Sequence, residues 1–65
     1  MTSLEEAIRS SHGAEIAAVY KQFSIDLAEA NGDQEKITAA EDKLRAGLAH
    51  AAEVLSKVRA IAKLG

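Results

Sequence analysis

Two histidines, each followed three residues later by a glutamate, are the residues of this 65-residue chain best suited to chemistry. His12 precedes Glu15 and His50 precedes Glu53. An antiparallel pair of helices would place the two segments side by side, at the same height along the hairpin axis. Glutamate and histidine three residues apart bind metals in helical bundles, but there the glutamate comes first. At about 100° per residue, Glu53 also points away from the apolar side of its helix. We therefore predict neither a metal site nor any other cofactor.

His12 falls in the middle of an apolar stripe of the first helix. We interpret it as a core histidine that is held by Glu15, by Glu53 or by a partner chain. The alternative is a pH-sensitive interface, because histidine changes charge between about pH 5 and pH 8. In that case, lowering the pH would weaken association.

Ser10 and Ser11 stand beside His12 and resemble a nucleophile next to a base. Consecutive residues on a helix do not face one another, so this order does not bring a hydroxyl to the imidazole. The sequence also contains no recognisable element that would stabilise an oxyanion. We therefore predict that the chain is not an enzyme.

The elements that carry these residues are predicted to be helical. The chain has no proline and no cysteine, and 14 of its residues are alanine, the strongest helix former. A compact break occurs only at Asn31-Gly32-Asp33, where the first two residues tolerate the left-handed conformation and the aspartate can cap a new helix. The fold class is all-α: an antiparallel two-helix hairpin forming one domain over 1–65, with helix 1 at about 3–30, the turn at 31–33 and helix 2 at about 33–63.

Apolar residues recur at heptad-like spacing on both helices, in stripes wider than one neighbouring helix can cover. We therefore predict that two hairpins dimerise into a four-helix bundle, as small chains often oligomerise. Gly13 and Gly47 are predicted to allow close packing of the helices. The predicted core and interface residues are Leu4, Ile8, Ile16, Val19, Phe23, Leu27, Ile37, Leu44, Leu48, Ala51, Leu55 and Val58.

Charge and hydropathy favour a cytoplasmic protein. The net charge is −2, which is not the strongly basic balance of a dedicated nucleic-acid-binding protein. The N-terminal residues are acidic and lack an apolar segment of signal-peptide length. No apolar run approaches the roughly 20 residues that a spanning helix needs.

Three functions are compatible with this sequence. The first is a protein-interaction or assembly module that binds a second copy or a helical partner through its apolar stripes. In length and central turn the chain also resembles the plasmid copy-number regulator Rop, a helical hairpin that dimerises into a four-helix bundle. That resemblance carries over no residue and implies RNA binding by a helical face as the alternative. The third, lipid-surface association, is disfavoured by the acidic first helix. The basic residues available for nucleic acid are Lys36, Lys43, Arg45, Lys57 and Arg59.

Overall fold

The protein forms two α-helices, α1 (Leu4–Ala30) and α2 (Gln34–Ile61), in a computed structural model that describes residues 3–64. The predicted all-helical hairpin is confirmed, and both helices begin within a residue of the predicted positions. The predicted domain covers 1–65, of which residues 1, 2 and 65 lie outside the described part. Between residues 3 and 64, neither helix combines the length and the apolar character needed to cross a membrane.

Both helices begin at a side chain that accepts hydrogen bonds from exposed backbone N–H groups. The Ser3 hydroxyl accepts from the Glu6 amide at 3.1 Å. The Asp33 carboxylate accepts from the amides of Glu35 at 3.0 Å and Lys36 at 3.4 Å. Since the first four N–H groups of a helix have no partner within it, these caps fix both starting points.

The turn between the helices has a left-handed backbone at two consecutive residues. Asn31 ends α1 with φ at 48°, and Gly32 follows with φ at 83°. Asparagine and glycine occupy this region at low cost. The Asp33 amide then donates to the Ala30 carbonyl at 2.9 Å, which closes the turn and starts α2.

The end of α2 differs from the prediction, because the helix stops at Ile61 rather than at about residue 63. Lys63 has a left-handed backbone with φ at 60°. The amides of Lys63 and Leu64 donate back to the carbonyls of Ala60 and Arg59, the paired hydrogen bonds of a Schellman motif. A glycine usually occupies the left-handed position, so the lysine there gave no sequence signal for this end.

The two helices run antiparallel, and the Cα atoms of the hairpin span 46 × 22 × 9 Å. Close packing is confirmed at Gly47, where an added Cβ would lie 3.1 Å from Val19 Cγ1 and 3.2 Å from Cγ2. The prediction for Gly13 is wrong within the hairpin, because an added Cβ there meets nothing within 4 Å. Gly13 lies about 100° around α1 from His12, which turns it away from α2.

Small residues form the contact between the helices. The buried apolar residues are Ala30, Ala40 and Ala51, with exposed fractions of 3%, 4% and 0%. No large side chain in the described region is fully buried. The helices therefore approach closely along a seam of alanine and glycine, while larger apolar side chains lie beside that seam.

Candidate functional site

Two salt bridges cross from α1 to α2 on different sides of the hairpin. Arg59 Nη2 lies 3.6 Å from Glu5 Oε1, and Lys43 Nζ lies 3.6 Å from Asp26 Oδ2. Arg59 and Lys43 are separated by about 160° around α2, given 3.6 residues per turn. The two bridges therefore mark opposite faces of the hairpin. A residue that lies close to a whole number of helical turns from one of these four charged residues is assigned to the same face.

The face marked by Arg59 and Glu5 carries large apolar side chains together with polar ones, since Glu41 lies five helical turns before Arg59 and is half-buried. On α2, Leu48 and Ala52 precede Arg59 by three and two helical turns, which places them on its side. On α1, Ile16, Tyr20 and Leu27 follow Glu5 by about three, four and six helical turns, which places them on the side of Glu5. We call this surface the apolar face and define it by Ile16, Tyr20, Leu27, Leu48 and Ala52.

The apolar face is open to solvent in the hairpin. Leu27 and Leu48 are 38% and 40% exposed, Tyr20 is 73% exposed, and Ile16 is half-buried. Leucine side chains this accessible leave a large part of their apolar area in water. Burying that area against another apolar surface would be favourable at about 25 cal/mol per Å².

The opposite surface, which we call the grooved face, carries shallow grooves lined by charged, small and large apolar side chains. Ile61 and Val54, which are 82% and 36% exposed, also lie on this face by their spacing from Lys43. A groove of about 310 Å³ near the turn is bordered by Asp26, Glu29, Lys36 and Lys43 together with alanines. It is open to solvent and lined by both charge signs. Such a surface gives no defined pocket for a small molecule, since ligand sites usually enclose most of the ligand.

His12 lies in a second groove on this face, about 280 Å³ in volume, near the open end of the hairpin. Glu15, Leu55 and Val58 share that groove, and both His12 and Glu15 are half-buried. Within residues 3–64, no hydrogen bond or salt bridge reaches the imidazole. A role for His12 as a pH-sensitive group stays a prediction.

The two His-x-x-Glu segments do not converge in the hairpin. His50 and Glu53 are exposed, and Glu53 pairs with Lys57 at 3.3 Å on the outside of α2. In the described part of the chain, no three side chains of the metal-binding types come close enough to hold an ion. Glu53 therefore takes part in an i,i+4 salt bridge along α2 and does not face His12.

The predicted core and interface residues fall into three degrees of burial, and their assignment to an interface stays a prediction. Only Ala51 is fully buried. Four are exposed: Leu4, Leu27, Leu48 and Val58. The remainder are half-buried: Ile8, Ile16, Val19, Phe23, Ile37, Leu44 and Leu55.

The basic residues considered for nucleic acid do not form one patch. Arg59 and Lys43 lie on opposite faces, as their salt bridges indicate. Arg45 pairs with Asp42 at 2.7 Å, and Lys57 pairs with Glu53. A nucleic-acid surface requires cations gathered along one face, and here most of them already have a carboxylate nearby.

Sequence reasoning missed the division into two faces. The heptad pattern gave the width of each apolar stripe but not which part of it turns toward the other helix. The burial of Ala30, Ala40 and Ala51 shows that the smallest members of the stripes form the contact. The available signal was the alignment of alanines and Gly47, because small residues permit the closest approach of two helices.

Comparisons of the chain with models of protein families, with curated protein sequences and with solved structures found no significant match.

Proposed function

We propose that the chain is a small protein-interaction or assembly module without enzymatic activity, located in the cytoplasm. It acts through its apolar helix faces, either by self-association or by binding a partner helix. One observation carries this proposal: among residues 3–64 the apolar residues buried in the seam are all alanines, while Leu27 and Leu48 remain more than one-third exposed. A pair of helices that covers so little apolar surface is only marginally stable alone.

The exposed surface supports the same proposal quantitatively. A compact protein of 6.9 kDa exposes about 4,000 Å² according to the size dependence of folded monomers. The hairpin exposes 4962 Å². The excess of about 1,000 Å² is comparable to what one partner contributes to a protein–protein interface of standard size, about 800 Å².

Sedimentation equilibrium combined with far-UV circular dichroism tests the proposal. We expect a mass greater than 6.9 kDa, or a poorly helical monomer that becomes helical on adding its partner. A fully helical monomer that melts cooperatively at high temperature would contradict it. Adding RNA at low salt tests the alternative function, since binding to phosphates weakens steeply as salt increases.

A further inference from the structure

We propose that Asn31 is a modification site, which converts spontaneously to aspartate or isoaspartate and is protected while the turn of the hairpin is closed. The reaction consumes only water, so its rate depends on how often the turn opens. One consequence rests on the proposed function: a partner that keeps the hairpin closed also keeps Asn31 intact.

The two residues that would react are accessible. Asn31 is the only asparagine in the sequence, and it lies with Gly32 in the exposed turn between α1 and α2. A Cβ added to Gly32 would meet nothing within 4 Å, so no neighbouring group shields this side of the turn. Among the backbone hydrogen bonds outside the helices in residues 3–64, the Asp33 amide closes the turn and the Gly32 amide donates none. The Gly32 nitrogen is therefore not held by a hydrogen bond.

The reaction joins two groups that are adjacent in the chain. The Gly32 backbone nitrogen attacks the side-chain carbonyl carbon Cγ of Asn31 and loses its proton, and the side-chain nitrogen takes up a proton and leaves as ammonia. Water then opens the resulting succinimide ring. Cleavage of the bond from the Gly32 nitrogen to Cγ gives aspartate, and cleavage of its bond to the Asn31 main-chain carbonyl carbon gives isoaspartate. An amide has been exchanged for a carboxylate, with no oxidant or reductant required.

The backbone of the closed turn holds these two groups apart. Asn31 has φ at 48° and ψ at 43°. Because Cβ of an L residue is offset by about 120° from its backbone nitrogen, the Gly32 nitrogen lies about 160° from Cβ around the Cα–C bond. A five-membered ring closes only when this angle is small. The required rotation swings α2 away from α1 and breaks the 2.9 Å hydrogen bond from Asp33 to Ala30, so the turn must open first.

Either product weakens the turn after it has formed. The new carboxylate adds a negative charge to a chain of net charge −2. It lies at the C-terminal end of α1, where unpaired carbonyl groups already carry negative partial charge, and close to the capping carboxylate of Asp33. Isoaspartate also inserts a further carbon atom into the backbone between Ala30 and Gly32. A hairpin that has reacted therefore closes less readily than one that has not.

Mass spectrometry of the wild-type chain across a urea series tests the protection. The intact mass records the replacement of the side-chain NH₂ by OH, and fragmentation of the tryptic peptide 22–36 assigns it to Asn31 rather than to Gln22 or Gln34. Far-UV circular dichroism measures the folded fraction of the same samples. We expect a rate constant at least about tenfold lower in samples that are about nine-tenths folded than in fully unfolded ones. A rate constant that stays the same while the helical signal is lost would overturn the protection.

Two variants test the site in concentrated urea, where a failure to fold has no effect on the result. Gly32→Ala should react at least about tenfold more slowly than wild type, because the added methyl group obstructs the attacking nitrogen. Asn31→Gln should show no mass change over the same period, since its longer side chain would have to close a six-membered ring. A wild-type chain that stays unmodified in urea, or a Gly32→Ala chain that reacts at the wild-type rate, would overturn the assignment.

Asn31→Asp carries the charge of one product on an unaltered backbone. Its Tm should be about 2–8 °C below that of the wild type, because a carboxylate at the end of α1 is unfavourable. A Tm equal to or above that of the wild type would contradict the weakening of the turn.

Protein concentration distinguishes this inference from the proposed function. If self-association keeps the hairpin closed, raising the concentration without urea should increase the helical signal and lower the rate constant together. If neither changes with concentration, protection by self-association is overturned. The dependence of the rate on turn opening, measured in the urea series, would still stand.

Discussion

Gly47→Ala tests the contact between Gly47 and Val19. The sign of its effect on the free energy of unfolding depends on how closely the two helices approach at this point. Replacing a helical glycine by alanine normally stabilises a helix by about 1 kcal/mol. At Gly47 the new methyl group would lie 3.1 Å and 3.2 Å from two carbons of Val19, against about 3.5–4.0 Å for relaxed carbon contacts. Val19 has few rotamers available, because valine is stiff at χ1. Overpacking of this kind costs about 1–3 kcal/mol, so Gly47→Ala should be neutral or destabilising by up to about 2 kcal/mol.

Gly13→Ala is the matched control, because nothing lies within 4 Å of the added methyl group in the hairpin. It should stabilise the protein by about 0.5–1 kcal/mol, so the two variants should differ by about 1–3 kcal/mol. Urea unfolding at one fixed protein concentration measures both. In a double-mutant cycle, Val19→Ala should relieve the cost of Gly47→Ala by more than about 0.5 kcal/mol. Equal stabilisation by both alanines, with no coupling to Val19, would refute the close approach of the helices at this point.

Three further predictions concern the core, a cap and a cross-helix salt bridge. Phe23→Ala should lower the free energy of unfolding by about 2–5 kcal/mol through lost packing. A variant whose urea midpoint equals that of the wild type would show that the Phe23 ring contributes little to stability. Asp33→Ala removes the acceptor for two backbone amides, so thermal unfolding should report a loss of about 1 kcal/mol. The reverse result, an unchanged Tm, would show that α2 starts without this cap. Asp26→Asn disrupts the bridge to Lys43; the Lys43 side chain is 68% exposed and that of Asp26 is 18% exposed, so the substitution should cost about 1 kcal/mol. Most of that cost should disappear in about 1 M salt, and a larger, salt-independent loss would contradict a screened surface pair.

The helix starts and the turn could be predicted from sequence because each depends on residues close together in the chain. Ser3 and Asp33 cap through their own side chains, and Asn31-Gly32 supply the left-handed backbone. The end of α2 could not be predicted in this way, since Lys63 occupies a left-handed position that is rare for residues other than glycine.

The division into an apolar and a grooved face could not be predicted, because it depends on how far each helix is rotated about its axis. Periodicity places Ile61 in the apolar stripe of α2, yet it is 82% exposed. The rotation is set by the alanine and glycine seam, which turns the smallest side chains toward the other helix. That choice depends on contacts between residues far apart in sequence, and the spacing within one helix does not contain it.

Thermal unfolding at increasing protein concentration tests most directly whether the hairpin needs a partner to cover its apolar surface. An unfolding enthalpy of about 0.7 kcal/mol per residue corresponds to about 90 kcal/mol for a dimer of 65-residue chains. If folding is coupled to dimerisation, Tm should rise by about 5 °C for each tenfold increase between about 1 and 500 µM. A high Tm that is identical across that range, with full helicity at the lowest concentration, would contradict this account.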